Sequence, residues 1–305
     1  MKKNILLFFV VFVFQLQIFA QQDSQYTNYM YNPSVINPGY AGTRDALSIF
    51  GLYRTQWVGL DGAPETGNFA LHTPLRNSNI GLGLSFVNDR IGPSDESTLS
   101  LDVAYRIPVN DNSTLSFGVK GTANLLNVDY TKLDPYNNED PLLANNIDNR
   151  FSPNIGAGVY WYSDKHYIGF SVPNILETKY YDDNISTLAS ERAHFYLMGG
   201  YVFDLGENTK LKPATLIKAV QGAPLQVDVT ANIMFNETVV LGAAYRWDAA
   251  LSALLGFQIN EKLFIGYTYD METTRLANYN SGSHEIFLRF ELFNRVNRVY
   301  SPRFF

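Results

Sequence analysis

Residues 98–109 alternate strictly. Leu99, Leu101, Val103, Tyr105, Ile107 and Val109 are apolar, while Thr98, Ser100, Asp102, Ala104 and Arg106 are small or polar. Side chains of an extended chain point to opposite faces with period two, so this stretch predicts a strand with one greasy and one polar face. Residues 80–86 repeat the scheme, with Ile80, Leu82, Leu84 and Phe86 opposing Gly81, Gly83 and Ser85. Residues 225–235 set Leu225, Val227, Val229, Ala231, Ile233 and Phe235 against Gln226, Asp228, Thr230, Asn232 and Met234. Near the end, Ile286, Leu288, Phe290 and Leu292 oppose Glu285, Arg289 and Glu291. Soluble sandwiches alternate too. What separates this chain from them is strand length of about ten residues, the span that a tilted membrane strand needs.

Two kinds of connection alternate between such stretches. Short polar turns fall at Asn77-Ser78, Asn110-Asp111-Asn112, Ser163-Asp164-Lys165, Gly206-Glu207-Asn208, Asn236-Glu237 and Asn260-Glu261. Mostly longer links fall at 59–63, 91–96, 131–150, 173–191, 221–224, 248–249 and 271–282. Outer-membrane barrels put short turns in the periplasm and longer loops outside. Six turns and seven loops join fourteen strands, at 46–57, 65–74, 80–90, 97–109, 113–130, 152–163, 166–172, 192–204, 209–220, 225–235, 238–247, 250–259, 263–270 and 283–293. The expectation is an all-β, transmembrane antiparallel barrel with both termini periplasmic. The link at 248–249 is short for an outer loop. Trp57, Tyr160-Trp161-Tyr162, Tyr245, Trp247, Tyr267 and Tyr269 fall near strand ends, where amphipathic rings suit the headgroup level.

The first twenty residues set the compartment. Lys2 and Lys3 precede an unbroken apolar run over residues 5–14. That run is too short for a spanning helix but fits a signal peptide, with Ile18 and Ala20 at the −3 and −1 positions of the cleavage site. The predicted organisation is therefore a signal peptide (1–20), a periplasmic or lumenal N-terminal segment (21–44), an outer-membrane barrel (45–293) and a periplasmic tail (294–305). Cys is absent, which excludes disulfides, thiolate catalysis and a lipid-anchoring cysteine. The formal charge of −6 becomes −6 − 2 = −8 without Lys2 and Lys3, so nothing marks a nucleic-acid partner. Aromatic residues make 14% of the chain and charged residues only 17%, a shift toward lipid contact.

Little in the chain reads as catalysis. His72, His166, His194 and His284 lie in no nucleophile motif and form no metal pair, so neither an enzyme nor a cofactor is expected. Gly81-Leu82-Gly83 and Gly156-Ala157-Gly158 lie inside alternating strands, where small inward residues make room for something else. A barrel of this width leaves a lumen that needs an occupant. Residues 21–44, polar and without alternation, are expected to fill it partly from the periplasmic side, with loops 131–150 and 173–191 as the cargo-facing surface. Arg54 and Gln56 share one face of the first strand and Trp57 the other. They either hold a loop, plug or cargo from the lumen, or serve as a structural ion pair and a girdle residue. The inward charges Asp102, Arg106, Lys120 and Arg289 are too scattered to mark a channel constriction.

One block of residues is more specific. Gln25-Tyr26-Thr27-Asn28-Tyr29-Met30-Tyr31-Asn32-Pro33 leads into Asn37-Pro38-Gly39-Tyr40-Ala41-Gly42. It is followed by Arg54-Thr55-Gln56-Trp57-Val58-Gly59, Gly62-Ala63-Pro64, His72-Thr73-Pro74 and Asp89-Arg90-Ile91-Gly92. Gly169-Phe170-Ser171-Val172-Pro173-Asn174 and Gly282-Ser283-His284-Glu285 come later. Together they resemble the PorP/SprF family of type IX secretion system outer-membrane proteins, over nearly the whole mature chain. Gly39 departs from the Ala more often expected there. The resemblance implies a non-enzymatic barrel that assists export or surface anchoring of cargo such as adhesins, in connection with gliding motility. It also implies partners: cargo with a type IX C-terminal domain, other secretion components and a periplasmic peptidoglycan-binding lipoprotein. Asn37, Pro38, Ala41, Gly42, Arg54, Gln56, Trp57, Gly62, Ala63 and Pro64 are the family-motif residues expected to be structural or partner-binding. A passive outer-membrane channel or hydrophobic-substrate transporter is the competing class, and a soluble secreted sandwich a third. Intact mass measurement of the protein purified from outer membranes should give a chain beginning at Gln21; a retained leader would refute the cleavage.

Overall fold

The computed structural model describes residues 25–133, 146–176 and 192–292. Fourteen antiparallel strands close into a barrel. They are β1 (Leu47–Thr55), β2 (Glu65–Pro74), β3 (Ile80–Ile91), β4 (Ser94–Asn110), β5 (Ser113–Val128), β6 (Ile147–Ser163) and β7 (His166–Val172). The second half comprises β8 (His194–Tyr201, resuming past Val202 as Phe203–Asp204), β9 (Thr209–Val220), β10 (Gln226–Phe235), β11 (Val239–Arg246), β12 (Ala250–Asn260), β13 (Leu263–Glu272) and β14 (Ser283–Leu292). Each strand pairs with its sequence neighbours. Closure comes from β14 returning to β1, in register from Leu47↔Leu292 to Thr55↔His284. Every described strand is thereby paired on both sides, and no open edge is left to lipid.

The burial pattern is inverted relative to a soluble fold. On β4, Leu101 is 60% exposed and Val103 46%, whereas Asp102 is 2% exposed. On β14, Ile286 and Leu288 face out while Glu285, Arg289 and Glu291 are buried. An apolar exterior around a polar interior is stable only where the outside is hydrocarbon. The short turns carry the backbone geometry that tight hairpins need. Asn236 and Glu237 both adopt positive φ (49° and 53°), as a type I′ turn requires, and Thr238 N–H closes it on the Phe235 carbonyl at 2.9 Å.

Four expectations are corrected. The link expected at 91–96 is a tight turn at Gly92-Pro93, because polar residues 94–98 keep pairing with β3 (Ile91↔Ser94, Asp89↔Glu96) beyond the apolar band. The link at 131–150 is shortened likewise, since β6 begins at Ile147. Tyr160 and Tyr162 do not stand at an interface: they are buried in the interior at 1% and 6% exposure, and only Trp161 between them points outward. The 248–249 connection is a tight turn, with Asp248 at φ 52°. Residues 1–24 and 293–305, with most of the loops expected at 131–150 and 173–191, lie outside the described residues. Leu292 sits at the short-turn end but Gln25, hydrogen-bonded to Gln226, lies at the opposite end. The described chain therefore does not bring both of its ends to the short-turn side as expected, and residues 25–44 run the length of the lumen from the long-connection end.

The outward face yields a depth test. Val103→Arg, at the middle of the apolar band, should destabilise the barrel by about 2–4 kcal/mol and Val109→Arg, at its end, by about 0–1 kcal/mol, measured by reversible denaturation in lipid vesicles. Equal costs at the two positions would contradict a membrane-spanning β4.

Candidate functional site

The barrel interior holds residues 25–44, which descend from the long-connection end to the short-turn end before entering β1. Three short 3₁₀ turns, Tyr29–Tyr31, Pro33–Val35 and Pro38–Tyr40, keep this segment compact. Pro33 and Pro38 each occupy a first helical position, where the missing N–H costs nothing. Met30, Asn37 and Ala41 are fully buried.

At the top, a charge cluster holds the segment. Arg54 Nη1 lies 2.6 Å from Asp270 Oδ2 and 2.9 Å from Glu285 Oε2, and all three side chains are at most 2% exposed. Thr27 N–H donates to Glu285 Oε2 at 3.1 Å, and Thr27 Oγ1 donates to Asp270 at 2.7 Å. Asn28 donates to Glu285 from its backbone, and to Thr268 Oγ1 from its amide at 2.8 Å. Arg54 therefore forms a buried ion pair and grips the interior segment at the same time. Residues Thr27, Asn28 and Asp270 carry no signal in their local sequence that links them. Their connection is across strands, which no spacing along the chain reveals.

Midway, aromatic packing takes over. Tyr31 stacks against Phe264 and Phe287, with centroids at 5.3 and 4.8 Å, and Lys212 Nζ stands 5.2 Å from its ring centre. Tyr40 meets His72 and Tyr160 edge-on at 5.0 and 5.4 Å. Lys120, paired with Asp102 at 3.0 Å, donates to the Ser34 carbonyl at 3.1 Å.

The Asn37-Pro38-Gly39-Tyr40-Ala41-Gly42 stretch lies in a groove of glycines. A Cβ on Gly81 would overlap the Ala41 carbonyl, one on Gly118 the Pro38–Gly39 backbone, and one on Gly158 the Asn37 amide. Asn37 Oδ1 accepts from Gly39 N–H at 2.9 Å, and its Nδ2 donates to the Val159 carbonyl at 3.1 Å. Gly39 itself has little room: an added Cβ would lie 3.0 Å from Asn37 Oδ1 and 3.1 Å from the Ser116 carbonyl. Gly42, at φ 77°, turns the chain toward β1, and its N–H donates to His72 Nδ1 at 3.2 Å. Arg106 donates to the Gly42 carbonyl at 2.7 Å, and Arg44 pairs with Glu291 at the base.

The remaining motif residues lie at the rim, where Gln56 Oε1 still accepts from Arg54 Nη2 at 3.5 Å. Gln56 N–H donates to the Pro64 carbonyl at 2.9 Å, closing the β1–β2 loop. Trp57 sits at φ 47°, unusual for a bulky residue. Its indole donates to Glu272 at 2.9 Å and its N–H to Ser283 Oγ at 3.2 Å. Gly62, at φ 72°, accepts from Gly92 N–H at 2.9 Å, so the 59–63 loop also touches the β3–β4 turn. Ala63 follows in the same turn. The motif residues thus form two groups, one seating the interior segment and one knitting the long-connection rim.

Nothing among the described residues assembles three or more metal-binding side chains. Ser163 and His166 are 2.8 Å apart, yet Ser163 Oγ also accepts from the backbone N–H groups of Lys165 and His166, which is turn geometry.

The sequence profile for the type IX secretion system membrane protein PorP/SprF matches residues 18–290. The chain belongs to the PorP/SprF family. This membership and the barrel fold make it an outer-membrane protein associated with type IX secretion, of a kind not known for catalysis. No protein of curated function matches its sequence. Among solved structures, the toluene transporter TbuX of Ralstonia pickettii is similar, with a TM-score of 0.52 and 10% identity over 87% of this chain and 93% of that one. Omp33 of Acinetobacter baumannii scores 0.48 at 7% identity, over 81% of this chain and 99% of its own. At such identities the first likeness shows a shared barrel fold only.

Arg54→Met would leave two carboxylates buried without their cation, and should destabilise the protein by about 3–5 kcal/mol in denaturant titrations. Because the chain has no cysteine, a single Ser34→Cys reporter can follow the interior segment. Maleimide should label it slowly in the parent and at least several-fold faster when Gly81→Val is added. Equal labelling rates would show that the glycine groove does not seat the segment.

Proposed function

We propose that this barrel is a closed component of type IX secretion whose working surfaces are its two rims. Family membership over residues 18–290 is the observation that carries the proposal. A segment tied to the wall by ions, aromatic packing and a glycine groove argues against a lumen for free diffusion, which weakens the channel alternative. In this proposal the short-turn end faces the periplasm and the long connections face outward, following the usual asymmetry of such barrels. Secreted cargo with a type IX C-terminal domain engages the outer rim, which Trp57, Gly62, Ala63 and Pro64 stiffen. A peptidoglycan-binding lipoprotein engages the periplasmic side. The result is export or surface anchoring of cargo such as adhesins, with gliding motility as one outcome.

The test is affinity purification of the tagged barrel from gently solubilised outer membranes, with mass spectrometry of co-eluting proteins. Recovery of a surface protein carrying the C-terminal domain, or of the lipoprotein, is expected. A partnerless barrel that conducts ions in planar bilayers would overturn the proposal in favour of a channel.

A further inference from the structure

The interior segment fills the barrel unevenly. Beside it, between β3–β5 and the start of β8, lies a cavity of about 380 Å³ that opens toward the long-connection end. That size falls within the range of small-molecule pockets, roughly 300–1,000 Å³. Its floor includes Lys120, already neutralised by Asp102. One wall carries Asn124 above the Ser100–Thr122 hydroxyl pair, whose oxygens are 3.1 Å apart. Asp89 and Glu96 stand at the rim, and Arg192 contributes from the β8 side.

Asn124 is the informative residue. It is 6% exposed, and its amide nitrogen donates to Glu96, but its Oδ1 is a buried acceptor with no hydrogen-bond partner. A buried acceptor left unsatisfied is costly, so a small side-chain shift that brings Oδ1 to a hydroxyl of a ligand in the cavity is favoured. The surrounding charges are mixed in sign, which disfavours a strongly anionic or strongly cationic ligand. Hydroxyls and an amide oxygen at the wall favour a molecule rich in O–H donors, and the Tyr26 and Tyr196 rings supply apolar faces for it.

We propose that this cavity binds a neutral, hydroxyl-rich molecule the size of one or two sugar rings, entering from the long-connection end. The site is independent of the role assigned to the rims. A glycan array of neutral, acidic and amino saccharides, probed with the detergent-purified full-length barrel, tests it. Binding confined to neutral glycans is expected. Calorimetry with the strongest array glycan should then show affinity weakened about tenfold in Asn124→Leu and measurably in Thr122→Val. Either variant suffices if it keeps the heat-modifiable gel shift of a folded barrel. No binding above background, preferential binding of charged glycans, or unchanged affinity in a folded variant would overturn the proposal.

Discussion

Hydrocarbon offers no hydrogen-bond partner, and the arrangement of this molecule follows from that one constraint. Every strand must be paired on both sides, so the sheet closes through β14 and β1. Apolar side chains must face out, so the alternating polar set is driven inward: Asp102, Lys120, Asp228, Glu285 and Arg289 among others. A closed ring of fourteen strands then encloses more polar wall than its own side chains can satisfy. The segment ahead of β1 supplies the missing partners, with its own N–H groups on Glu285 and its carbonyls accepting from Lys120 and Arg106.

The complementarity is of two kinds. Ion pairs such as Arg54 with Asp270 and Glu285 contribute modestly against an apolar alternative, because desolvation offsets much of their attraction. Their larger effect is to penalise any other seating of Thr27 and Asn28, which would leave those charges unpartnered. The glycines at 81, 118 and 158 work sterically: backbone meets backbone there, at separations that any side chain would prevent.

Strand positions and outward faces were legible because period-two alternation is a local property, and boundaries read from it agree with the barrel to within a few residues along most of its length. Boundaries failed where pairing continues past the apolar band, as at residues 94–98, since a polar strand above the membrane looks like a loop. The interior belt was harder to see. Phe50, Phe264 and Phe287 break the rule of polar inward positions because they pack on Tyr31 or on one another. A trace did exist, in apolar pairs such as Ile49-Phe50 and Phe264-Ile265, where both faces are greasy. The partners of Arg54 left no such trace. Asp270 and Glu285 are more than two hundred positions away, and only closure of the barrel brings them to it.

That separation bears on biogenesis. Thr27 and Asn28 bond to Glu285 across 258 and 257 positions, joining the earliest described residues to the final strand. A chain delivered N-terminus first holds the interior segment without its main anchor until β14 arrives. Closing the wall and seating the segment are then a single late event of high contact order, with β1, the segment and β14 meeting together. The segment is thus locked in by the closing seam and not threaded into a finished barrel.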